Sequence, residues 1–211
     1  MEQIACRRFK NAGLLGVLIT VIALLPACSI TTKLTNPLPI KEFGVANNEV
    51  IGLYVPEASR NYVWKGNINI TPYSVEFGNA LEPNVKYALS KIFREVVLVD
   101  VFPVPALSTK DVMRSVSVEI ETAKVSPGAL TFSSTSAELR LKAIFSKAGQ
   151  IEGDPILVLG RATASAGGAG YIPLLNQVAY NAALQKAAEQ AMTDALEQLV
   201  DEIIKRRGGG R

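Results

Sequence analysis

Histidine is absent from the 211 residues and cysteine occurs only twice, at Cys6 and Cys28. The first absence removes the commonest general base near neutral pH and the commonest nitrogen ligand for a metal. The chain also has no Gly-x-Ser-x-Gly elbow for a nucleophilic serine. Asp100, Asp111 and Asp154 stand near turns or strand ends, yet nothing in their spacing groups them into an acid–base pair or a metal site. No enzymatic activity, cofactor or metal is therefore expected. The net charge is only +3, and Arg7, Arg8, Arg206 and Arg207 place much of the basic excess at the two ends of the chain. No basic stripe suited to nucleic acid is present.

Hydrophobicity, by contrast, is plentiful, and its first concentration is N-terminal. Arg7, Arg8 and Lys10 precede Ala12 to Leu25, a run of 14 residues without charge. A helix needs about 20 residues to cross the hydrocarbon layer, so this run fits the core of a secretory signal better than a permanent span. Leu25-Pro26-Ala27-Cys28 follows and resembles the bacterial lipobox, with an aliphatic residue at minus three, a small one at minus one and cysteine at plus one. That resemblance implies acylation of Cys28 and cleavage between Ala27 and Cys28. Removal of residues 1–27 from the 211-residue chain leaves 184, ample for one domain, and leaves Cys28 without a possible disulfide partner. Stable anchoring takes two or more acyl chains, each buried methylene contributing about 0.8 kcal/mol. Ser29, where inner-membrane lipoproteins of enterobacteria carry Asp, points to the outer membrane, with the protein facing the periplasm.

Residues 28–48 contain Pro37 and Pro39 and read as an extended tether. An α+β periplasmic domain is expected over residues 49–207, with a flexible basic tail over 208–211. Its first strand is Glu49 to Val55. A helical stripe follows at Val75, Phe77, Leu81, Val85, Leu89, Ile92 and Phe93, with Asn84 off the stripe. Pro83 either opens this helix or kinks a longer one capped by Ser74. Val96 to Val101 is a second buried strand. Val116, Val118 and Ile120 alternate with Ser117, Glu119 and Glu121, and Ala137, Leu139, Leu141, Ala143 and Phe145 alternate with Glu138, Arg140 and Lys142. These read as two strands whose charged faces pair across the sheet. Turns at Lys147 to Gln150 and Glu152 to Pro155 lead to a last strand from Ile156 to Ala166. From Asn176 to Arg207 there is neither Gly nor Pro, and Leu184, Ala188, Ala191, Ala195, Leu199 and Ile203 form the stripe of a long helix that Gly208 would cap.

Gly167, Gly168 and Gly170 lie between the last strand and this helix, but without a Walker lysine or dinucleotide spacing they read as a hinge rather than a phosphate cradle. Arg206, Arg207 and Arg211 are candidates for contact with anionic lipid. The element order behind the lipobox, best seen from Ser115 through Arg207, resembles small periplasmic lipoproteins of the YajG type and, by architecture, the lipopolysaccharide-assembly lipoprotein. The resemblance implies two helices on one face of a mostly antiparallel sheet, a two-layer sandwich. It also implies a non-enzymatic accessory or scaffold subunit of an envelope assembly, with an envelope protein as partner. The alternative is a lipid or lipopolysaccharide transport factor.

Overall fold

A computed structural model describes residues 29–44, 47–68, 71–105, 112, 114–126, 134–165 and 173–208. The signal, Ala27 and Cys28, Asp111, the Gly167 to Gly170 segment and Arg211 lie outside the described residues. Within them the chain is α+β, with three helices and eight strands in two mixed sheets. In chain order these are β1 (Ile30–Lys33), β2 (Asn47–Tyr54), α1 (Glu57–Arg60), β3 (Trp64–Ile68), β4 (Thr71–Glu76), α2 (Phe77–Ser90), β5 (Phe93–Leu98), β6 (Arg114–Ser126), β7 (Ser134–Lys147), β8 (Gln150–Ser165) and α3 (Pro173–Gly208).

The larger sheet has the order β5-β2-β6-β7-β8. Its β6-β7-β8 half is antiparallel, as the alternating sequences require. Its other half corrects the expectation of a mostly antiparallel sheet, because β2 pairs in parallel with both β5 and β6. The signal for this is the unbroken apolar run of β2, where Ile51, Gly52 and Leu53 are all buried; strands covered on both faces lose alternation. The β7–β8 turn places Ala148 and Gly149 at positive φ, as a two-residue type I′ hairpin demands. The second expected turn is instead a bulge within β8: Ala143 pairs with Ile156 and Phe145 with Glu152, so Gly153, Asp154 and Pro155 loop out, Gly153 at positive φ.

A smaller sheet, β1-β4-β3, was not expected. Its β1 belongs to the segment read as a tether, and that reading is corrected. Ile30 to Lys33 pairs in parallel with Tyr73 to Glu76, and Leu38, Ile40 and Phe43 are buried in the core. Prolines at 37 and 39 end regular structure there without setting the segment free. Val75 and Ser74 lie in β4, so Ser74 caps no helix. Pro83 sits inside α2, so of the two readings the longer helix holds, though it begins at Phe77 and is not capped by Ser74.

The expected helical stripes are all buried. On α2 they are Phe77, Leu81, Val85 and Leu89; on α3, Leu184, Ala188, Ala191, Ala195, Leu199 and Ile203. Helix α3 lies along β7 and β8, and contacts α2 and β1 as well. Its alanines permit close approach, and Gly160 of β8 completes the fit: a Cβ there would stand 1.9 Å from the Ala191 carbonyl oxygen. Asp194 accepts a hydrogen bond from the Arg161 backbone N–H at 2.9 Å, and the Gln198 amide donates to the Leu159 carbonyl at 3.1 Å. Helix side chains thereby satisfy backbone groups of an edge strand that would otherwise be open to pairing. On the opposite face Glu119 pairs with Lys142 and Glu121 with Arg140, the cross-strand pairing read from the sequence, and Glu138 pairs with Arg161 of β8, which that reading did not include.

Candidate functional site

Two places in the fold carry the candidate residues, a segment laid along α3 and a cleft at its C-terminal end. The first is the segment leading away from Cys28. Residues 30–43 run alongside α3 in the same direction: the Thr32 hydroxyl donates to Asn181 Oδ1, Thr35 donates from backbone and side chain to Glu189 at 2.8 Å each, and the Lys41 backbone donates to Glu197 at 2.9 Å. Lys41 Nζ also pairs with Asp201 at 2.7 Å. That carboxylate's hydrogen bond raises the Lys41 pKa above the ordinary lysine value.

The residue that fixes this strap is Asn84, expected on the solvated side of α2 and in fact fully buried. Its Oδ1 accepts from the Leu38 N–H at 2.7 Å, and its Nδ2 donates to the Ala80 carbonyl at 2.8 Å and, at 3.5 Å, to that of Thr35. A buried amide is tolerated only when its polar atoms are partnered, and here two of the three partners, Leu38 and Thr35, come from the strap. Only its position beside the stripe, between Leu81 and Leu89, hinted at burial.

The second place is an open cleft of about 520 Å³ at the far end, lined by Glu49, Arg114, Glu152, Ile203, Arg206 and Arg207 among others. Here the structure brings together two of the three arginines read as lipid contacts. Arg207 donates to Glu49 Oε2 at 2.8 Å and lies over the Phe93 ring at 4.3 Å. Burial lowers its pKa, with Glu49 opposing that shift and neighbouring Arg114 reinforcing it. Arg114 bridges Glu49 at 3.5 Å and Glu152 at 3.3 Å. The Arg206 guanidinium donates to the carbonyls of Asp154 and Pro155, closing the β8 bulge against the end of α3. These cations belong to a structured helix end, which also takes in Gly208, the residue at which the basic tail was expected to begin.

Chemically the cleft is a near-balanced ion-pair network. It joins the starts of β2 and β6, the β8 bulge and the last turn of α3. Asp154 contributes its backbone carbonyl to this network, while Asp100 lies exposed after β5. Among the described residues no group of three acidic or cysteine side chains could hold a metal, and no helix is long and apolar enough to cross a membrane.

No family model and no curated protein matches the chain. Among solved structures, a Xanthomonas campestris protein of the DUF330 family aligns over 86% of this chain and 99% of its own, with 9% identity and a TM-score of 0.43. A minor lipoprotein from Acinetobacter baumannii aligns over 77% of this chain and 95% of its own, with 16% identity and a TM-score of 0.40.

Proposed function

We propose that the protein is a non-enzymatic lipoprotein of the bacterial envelope, acylated on Cys28 after cleavage between Ala27 and Cys28. It is held at the outer membrane facing the periplasm, where it serves as an accessory or scaffold subunit of an envelope assembly. The observation that carries the reading is the lipobox, Leu25 to Cys28, behind a charge-free run too short to span. The folded domain beginning at Ile30, two residues later, supports it.

Metabolic labelling with palmitate in a bacterial host tests the anchor. The wild type takes up label and Cys28→Ala does not; label retained in the variant overturns the assignment. For the partner, affinity capture from detergent extracts enriches an envelope protein, and capture of none counts against the scaffold role.

The transport alternative draws less support from the geometry. The arginines read as its lipid contacts, Arg206 and Arg207, are already bonded to carbonyls and to Glu49.

A further inference from the structure

The distribution of charge along the fold carries a further inference, which rests on the lipidation reading above. Several contacts fix one end of the domain at a common level. Ile30 pairs with Tyr73, the Tyr73 ring meets Tyr180 edge-on at 5.8 Å between centroids, Thr135 lies beside the Tyr180 hydroxyl, and Thr32 bonds Asn181. The start of β1, the β3–β4 hairpin, the facing ends of β6 and β7, the end of β8 and the first turns of α3 therefore share one end of the molecule. This is the end at which the chain leads back to Cys28.

Among the described residues, the tips of the elements at that end carry no charge. No Asp, Glu, Lys or Arg occurs from Ser29 to Thr32, between Lys65 and Glu76, between Lys124 and Glu138, or between Arg161 and Lys186. The described parts of these four stretches, residues 29–32, 66–68 with 71–75, 125–126 with 134–137, and 162–165 with 173–185, are brought to that end by the topology and share this property in a protein that is 19% charged. Val178, one of its described side chains, is 68% exposed. Around the rim, Lys33, Lys65, Lys124 and Lys186 are all exposed, so cationic groups ring an uncharged end, with Glu76 and Glu138 as the acidic members. An uncharged surface bordered by long basic side chains suits a lipid headgroup layer, where the aliphatic stems lie along the interface and the ammonium groups meet phosphates.

We propose that this end, framed by Ile30, Asn67, Ser134 and Val178, rests on the bilayer that carries the acylated Cys28. The ion-pair cleft at the other end of α3 then points away from the membrane. With a single residue between Cys28 and β1, the acyl chains leave the domain no room to stand off.

The test uses the full-length protein, purified with its lipid and reconstituted into vesicles of phosphatidylethanolamine and phosphatidylglycerol. Bimane is placed on Val178→Cys, on Asn67→Cys in the β3–β4 hairpin, or on Lys147→Cys at the far β7–β8 turn. Emission from positions 178 and 67 shifts to the blue and is lost when doxyl-lipid is included. Emission from position 147 responds to aqueous iodide alone. If 178 and 67 are as open to iodide and as insensitive to doxyl-lipid as 147, the orientation is wrong. Mass analysis of the N-terminal peptide separates the two readings. Acylation without quenching at 178 and 67 overturns this inference alone, and an unacylated N-terminus overturns both. Using two positions on different elements guards against one substitution disturbing the fold.

Discussion

Asn84 shows how much can depend on one amide. Removing it strips the Leu38 N–H and two carbonyls of their buried partner, and a buried group left unsatisfied costs roughly 1–3 kcal/mol. Asn84→Ala is expected to lower the unfolding free energy by that order in a urea titration. It is also expected to open the strap to limited proteolysis near Lys33 and Lys41 before the rest of the domain is cut. Equal cleavage in wild type and variant would contradict the hub role. Tyr73 and Tyr180 allow a second test at this scale. Both rings are buried, and burial raises their pKa above 10.0. Below pH 10 folded and unfolded chains both keep these protons, so stability is unaffected. As pH rises through the unfolded value, the unfolded chain releases protons that the folded one retains, and stability falls. Spectrophotometric titration of the six tyrosines is expected to show two that ionise only together with loss of the native circular dichroism signal.

Among the elements, the contact of α3 with β8 is the most exacting. Gly160→Ala would drive a methyl into the helix backbone at Ala191 and Ala195, where no flexible side chain can yield. Overpacking of this kind costs typically 1–3 kcal/mol. The variant is expected near the top of that range, read as a lowered denaturation midpoint, and a wild-type midpoint would refute the close approach. The elements foreseen from the sequence were those with a clean period: the α3 stripe, the β6–β7 alternation and the β7–β8 turn. The small sheet was illegible because its strands are short and its inward residues, Tyr73 and Val75, continue smoothly into the α2 stripe. The strap was misread because proline forbids regular structure but permits burial, and Leu38 and Ile40 alternate with Pro37 and Pro39. In the cleft, Arg206 and Arg207 were visible as a basic cluster. The partner of Arg207, Glu49, is 158 positions away, a distance no local pattern bridges.

At the scale of the whole molecule, the start of the strap, where the chain leads back to Cys28, and the cleft are separated by most of a helix. Asn181 and Arg207 are 26 residues apart, about 40 Å at 1.5 Å per residue. That exceeds by several-fold the screening length of about 8 Å at physiological ionic strength. Neutralising Glu49 in the cleft should therefore weaken its local ion pairs without altering attachment at the Cys28 end. Glu49→Gln is expected to leave membrane-associated protein unchanged on fractionation, while loss of the protein from membranes would tie the two ends together.

The strap gives this separation a mechanical side. Because β1 runs parallel to β4, and residues 30–43 run parallel to α3, a tug at the N-terminal end is directed along their length. The strand ladder, the Thr35, Lys41 and Leu38 bonds and the buried side chains between them would then be loaded together, in shear, instead of peeling one at a time. A pull from the anchoring side is thus shared by the core before any single bond gives way.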